Sequence, residues 1–198
     1  MARLLWHGAI VAGLTALTQI GGLAWLVALA LTVRKGAISF ILVFLVLYGA
    51  TWGTARATAP VFGRVAISCT SNGAGPKTFN LFYCVLNRAY VTPELAALLQ
   101  DLAVHLQSRH PGARVLVLDG GFPFFDGFPL LPHLSHSDGR KVDLALWYQN
   151  GAKRSPLGYW AFEAPTPGAS RPCAGVAGLS MRWSMAWLQP LMRDAPMD

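Results

Sequence analysis

The alternation of apolar and polar positions divides this chain into two unlike parts. Residues 8–33 carry no charged side chain, and after Arg34-Lys35-Gly36 a second uncharged run covers 37–55 and stops at Arg56. A helix needs roughly 20 apolar residues to cross a bilayer. The two runs, joined by a short basic turn, therefore predict a transmembrane helical hairpin over residues 1–56, with spans at 8–33 and 37–55. Within the first run, Gly13, Gly21 and Gly22, together with Thr15, Thr18 and Gln19, suit close helix packing more than lipid exposure alone. A secretory leader is the competing reading of that run. Its apolar stretch is longer than the core of such a peptide, and a second apolar segment comes at once after it.

Residues 57–198 change period repeatedly and predict an α+β domain. Pro60 and Gly63 end the apolar helix, and a short strand and the Ser-Asn-Gly-Ala-Gly-Pro loop at 71–76 precede an apolar stretch over 79–86. Cys69 and Cys84 bracket that loop. They are a disulfide pair in an oxidising compartment and small core residues in the cytosol; Cys173 is left over. Thr92-Pro93-Glu94 is a helix start with Thr as N-cap and Pro at the first helical position. Leu95, Leu98, Leu99, Leu102 and Leu106 then recur at helical spacing. His105 flanks that stripe as a boundary residue, and His110-Pro111-Gly112 closes the helix. Residues 114–118 read as a buried strand ending at Asp119-Gly120-Gly121. The aromatic segment 122–132 contains Pro123, Pro129 and Pro132, which rule out regular structure. Asp119 and Asp126 read as carboxylates satisfying turn amides or standing behind a site. From 141 to 148 the chain alternates again, with Val142, Leu144, Leu146 and Tyr148 on a core face and Asp143, Ala145 and Trp147 on the other. Beyond Asn150 prolines and glycines dominate until a short final helix at 181–191.

Composition sharpens this division. Of 198 residues, 54% are hydrophobic and only 13% charged, and the net charge is +7. The cationic residues are scattered rather than interleaved with aromatics, which argues against nucleic acid as a partner. Such a surface suits anionic lipid or an anionic polymer. Positive charge favours the cytoplasmic side, and the Arg34-Lys35 turn is read there. That reading leaves residues 57–198 on the outer, periplasmic face of the inner membrane.

The candidate chemistry lies between Leu131 and Asp143. His136 and Asp143 stand seven positions apart, with Ser137-Asp138-Gly139 as a turn between them and a strand-like run after them. An imidazole and a carboxylate at that spacing can bind one Zn2+ from the same side, and the metal brings water into the nucleophilic range near neutral pH. A carboxylate on a cleft face needs a partner, and either a metal or His136 supplies one.

The pattern Ser135-His136-x-x-Gly139-x-x-x-Asp143 resembles the zinc-binding stretch of the LAS metallopeptidases. With His133 included, the stretch His133-x-Ser135-His136-x-x-Gly139-x-x-Val142-Asp143 is most similar to the penicillin-insensitive murein endopeptidases. The resemblance covers residues 131–148. It implies a small antiparallel sheet with flanking helices, His136 and Asp143 as zinc ligands, and His133 as an active-site histidine that positions substrate or shuttles a proton. The implied substrates are peptidoglycan crosslinks or stem peptides. Two departures stand out. Lys141 replaces the alanine usual in carboxypeptidase members, and no histidine comes after His136 to serve as the family's third ligand. Glu163 and Cys173 are the downstream residues of suitable type apart from the terminal aspartates. The leading expectation is a membrane-anchored cell-envelope zinc peptidase with an incomplete ligand set, binding zinc weakly. The alternative is a non-catalytic binding or regulatory protein of the same fold. A third reading has no metal, with His136 bonded to Asp143 for structural reasons.

Overall fold

The computed structural model describes residues 1–70, 73 and 75–145. Its first element, α1 (Ala2–Thr18), does not continue through the first uncharged run; the chain breaks at Gln19-Ile20 and resumes as α2 (Gly21–Leu31). The expectation of one span over 8–33 is therefore corrected to two helices folded back on each other. The cause lies in the small and polar residues of that run. A Cβ on Gly22 would come within 2.0 Å of the Thr15 hydroxyl oxygen and 2.7 Å of the Val11 carbonyl oxygen, so only glycine lets α1 and α2 approach this closely. Gln19 takes φ 65°, which turns the chain. Thr18 then accepts the Gly21 N–H at 2.8 Å, satisfying a donor at the start of α2.

After the turn at 32–36, α3 (Ala37–Thr58) runs straight into a 3-10 turn, Ala59–Phe62. The continuous helical stretch Ala37–Phe62 is long and apolar enough to cross a membrane, with mean hydropathy 1.8. It is the one such stretch among the described residues. Trp25 of α2 packs edge-on against Phe40 and Phe44 of α3, and its indole N–H donates to His7 Nδ1 of α1 at 3.3 Å. The three helices thus alternate in direction. Met1 and Arg3 lie at the same end as Arg34 and Lys35, and the Gln19 break lies at the other.

The remaining described residues form short elements: β1 (Val65–Ala66), β2 (Lys77–Thr78), α4 (Leu81–Val85), β3 (Tyr90–Val91), α5 (Pro93–Arg109), β4 (Leu116–Val117) and β5 (Leu144–Ala145). This is a mixed helix-and-sheet fold. The single antiparallel sheet expected from the resemblance is replaced by two small ones. β1 pairs antiparallel with β3, while a three-stranded sheet has the order β2–β4–β5, with β2 parallel to β4. A parallel pair needs a long crossover, and here α4, β3 and α5 supply it.

α5 begins as its sequence dictates. Thr92 Oγ1 accepts the Leu95 N–H at 3.4 Å, and Pro93 occupies a position whose missing N–H costs nothing. Its apolar stripe closes a core of Ile67, Ala89, Val91, Leu99, Ala103, Val115 and Val117, with Leu95, Leu102, Leu106 and Val142 packed around it. Leu98 falls outside this stripe and is exposed. Leu144, expected on the core face with Val142, is also exposed; Leu146, Tyr148, Glu163, Cys173 and the 181–191 helix lie outside the described residues. Met1–Leu144 form one compact unit, because the apolar helices are bonded to the mixed helix-and-sheet portion. Trp52 Nε1 donates to the Cys84 carbonyl at 2.9 Å, Tyr48 to the Val85 carbonyl at 2.6 Å, and Asn87 Nδ2 to the Thr18 carbonyl at 3.3 Å. Cys69 and Cys84 are joined by a disulfide across a Cα–Cα distance of 5.6 Å, fixing α4 to the chain after β1.

Candidate metal centre

Three side chains converge beyond the end of β4. Asp143 is placed by the backbone on both of its sides: its N–H donates to the Asp119 carbonyl at 2.7 Å, and its carbonyl accepts the Leu118 N–H at 2.8 Å. His136 is buried, and its Nδ1 lies 3.1 Å from the Gly120 carbonyl oxygen. A carbonyl only accepts, so that contact places a hydrogen on Nδ1 and turns Nε2 towards Asp143. Such a backbone bond behind the ring is the usual way a metal-binding imidazole is oriented. His136 Nε2 stands 3.3 Å from Asp143 Oδ1, and His133 Nδ1 stands 3.4 Å from Asp143 Oδ2. His133, His136 and Asp143 together offer one ligand atom each, all within 4.8 Å of one another.

The arrangement sets one ring nitrogen of each histidine against one oxygen of the Asp143 carboxylate. A neutral Nε2 and a carboxylate oxygen at hydrogen-bond range hold together only with a cation between them, either a proton or a metal. Ligand bonds of about 2.0–2.1 Å at the tetrahedral angle place zinc ligands about 3.3 Å apart. Each imidazole stands at about that distance from a different oxygen of Asp143, and two imidazoles with one carboxylate are a donor set that zinc accepts. His133, His136 and Asp143 together could therefore hold one metal ion. The sequence pattern directs attention downstream of Asp143 for a third ligand, whereas the fold brings a candidate, His133, from three residues upstream of His136.

Of the frame behind the trio, the sequence reading includes Asp119, among the carboxylates satisfying turn amides or standing behind a site, but not its partner Arg88. Arg88 and Asp119 are buried and form a two-point ion pair, Nε to Oδ1 at 2.6 Å and a terminal nitrogen to Oδ2 at 3.0 Å. The same guanidinium donates to the Leu131 carbonyl at 2.7 Å, two residues before His133. One cation thus ties the end of β4, which holds Asp143 and His136 through its backbone, to the segment that carries His133. The available signal was an arginine enclosed in the apolar stretch 86–91 with an aspartate at a strand end to match it. Arg64 plays a parallel part. Its buried guanidinium pairs with Asp126 and lies against Gly139, where a Cβ would come within 2.7 Å of Nε. Gly139 has φ 71° as well, so both space and backbone demand glycine in the turn between His136 and Asp143. At the far side, Asp138 accepts the Arg140 N–H at 3.0 Å, and that bond holds its carboxyl below the usual range. Burial, reinforced by the negative field of Asp119 and Asp143 and opposed by Arg88, pushes the Tyr83 phenol up to about 12. Tyr83 is accordingly neutral at physiological pH.

Compared with known proteins, the chain matches no family model, and no curated protein or solved structure is significantly similar to it.

Proposed function

We propose that this protein is a membrane-anchored metal-dependent peptidase of the cell envelope, holding zinc through His133, His136 and Asp143. The observation that carries the reading is the convergence of two imidazoles and a carboxylate within 4.8 Å, with His136 oriented from behind by a backbone carbonyl. Zinc held by three protein ligands keeps an open position, and there it polarises a carbonyl and activates water. The protein's own part is to fix the ligands: the β4 backbone sets Asp143 and His136, and Arg88 sets the segment bearing His133. The LAS-type resemblance of residues 131–148 supplies the substrate class, peptidoglycan crosslinks or stem peptides.

Membrane placement is argued from the helices. In this reading α3 crosses the inner membrane, and the α1–α2 hairpin packs beside it. Arg3, Arg34 and Lys35 share one end, which the positive-inside rule assigns to the cytoplasm. The metal centre then lies on the periplasmic side. The Cys69–Cys84 disulfide supports that side, because such bonds persist in oxidising compartments.

A second reading keeps the metal but not the hydrolysis: a binding or regulatory module. It is favoured by the composition of the cluster, which among the described residues consists of His133, His136 and Asp143. Metal analysis of the full-length protein tests the metal, with His133→Ala, His136→Ala and Asp143→Asn alongside. The expected result is zinc retained by the wild type and lost by all three variants. Wild-type protein with no more zinc than the variants would overturn both readings. Release of cleaved stem peptides by the zinc-loaded protein separates peptidase from binding module.

A further inference from the structure

We infer that α4 is an in-plane membrane element whose outer face, Leu81, Phe82 and Val85, rests in the lipid interface beside α3. The inference builds on the reading that α3 crosses a bilayer and adds a contact that the span alone does not require.

α4 is amphipathic in an unusual sense. Its inner face, Tyr83 and Cys84, is buried, yet Leu81, Phe82 and Val85 are 61%, 51% and 46% exposed. No charged residue occurs from Phe79 to Asn87 to make this face suitable for water. A contiguous exposed apolar patch on a small domain calls for a covering, and the way α4 is attached identifies it. Trp52 Nε1 donates to the Cys84 carbonyl and Tyr48 to the Val85 carbonyl, so two side chains of α3 hold the C-terminal turn of α4 against the span. The Arg56 guanidinium reaches the Ile67 carbonyl at 3.0 Å and lies over the Trp52 ring.

These attachments set a depth. Arg56 is the first charge after the uncharged run 37–55 and marks the edge of the apolar zone. At a rise of about 1.5 Å per residue, Trp52 lies about 6 Å and Tyr48 about 12 Å below it. Interfacial helices bury their apolar face about 5–10 Å into the boundary between headgroups and acyl chains. α4 is bonded to α3 across that interval. Trp and Tyr with one polar end are also the residues that settle at this level. The occupant of the patch is therefore the outer leaflet, continuous with the lipid around α3, and the disulfide at Cys84 carries that attachment to the chain after β1.

The test uses full-length protein with Cys173→Ser, reconstituted in phosphatidylcholine vesicles and labelled with an environment-sensitive fluorophore at single introduced cysteines. Phe82→Cys probes α4, with Leu81→Cys as a second probe should the first disturb folding. Leu45→Cys reports the span, and Ser108→Cys reports water. The label at 82 is expected to lose emission to shallow nitroxide lipids and to resist aqueous iodide, as the label at 45 resists it. A label at 82 that is quenched by iodide like the one at 108, with 45 still quenched by lipid, overturns the inference and leaves the span standing. A label at 82 shielded from both quenchers overturns it in favour of a second protein copy on the patch. If the label at 45 is itself open to iodide, the spanning reading fails and the inference with it.

Discussion

Arg88 ties together the two segments that carry the candidate metal centre, through Asp119 on one side and the Leu131 carbonyl on the other. A buried ion pair adds little net stability, but removing one partner leaves an uncompensated charge in the interior and costs roughly 3–5 kcal/mol. Asp119→Asn should accordingly lower the thermal midpoint sharply and reduce zinc retention, while a charge-free pair, Arg88→Met with Asp119→Leu, should recover stability without recovering zinc. Thermal melts paired with metal analysis separate the two effects. Tyr83 gives a second expectation at this scale. The folded chain keeps its phenol neutral up to about 12, against an ordinary value of 10.0. The unfolded chain loses that proton first, so stability falls as pH rises from the ordinary value towards the folded one. Tyr83→Phe should remove this contribution, visible as a shallower decline of melting temperature with pH over that window; identical profiles for the two proteins would refute the assignment.

Among the elements, the α1–α2 hairpin rests on Gly21 and Gly22, with Gly22 the tighter of the two. Gly22→Val forces a side chain into the space held by Thr15 and the Val11 carbonyl, and overpacking of this kind costs roughly 1–3 kcal/mol. Gly13→Ala is the control, since a Cβ there meets nothing within 4 Å. Melting of both in vesicles should show loss for the first and none for the second. This hairpin also shows where reading the sequence falls short. Charge-free length identifies the apolar region and the α3 helix, and Thr92-Pro93 identifies the start of α5, because those signals are local. Gly21, Gly22, Thr18 and Gln19 are legible as packing residues, but not as a reversal. The turn depends on Gln19 adopting φ 65° and on bonds to residues far along the chain. The centre divides in the same way. His136 and Asp143 are readable from spacing, whereas the approach of His133 to them and the pairing of Arg88 with Asp119 are products of tertiary packing.

For the molecule as a whole, alternating helix directions fix which ends share a side. If α3 crosses the membrane, the N-terminus lies with Arg34-Lys35, and the metal centre lies opposite. The sequence alone, read as two spans, places both termini outside; the reversal at Gln19 brings the first one back. A reporter that fluoresces only in the cytosol should be bright when fused before Met1 and dark when fused after Asp198. A dark N-terminal fusion would reject this arrangement.

The reversal at Gln19 has a consequence in time. Its side-chain amide donates to the Phe124 carbonyl at 2.7 Å and accepts the Phe124 N–H at 3.2 Å, across a separation of 105 residues. During synthesis the apolar helices emerge first, and the partner of Gln19 is not yet made. The two hydrogen bonds that hold this turn therefore form only after the aromatic segment has been made and folded against it. The same contact ties the first turn of the chain to the segment that leads to His133.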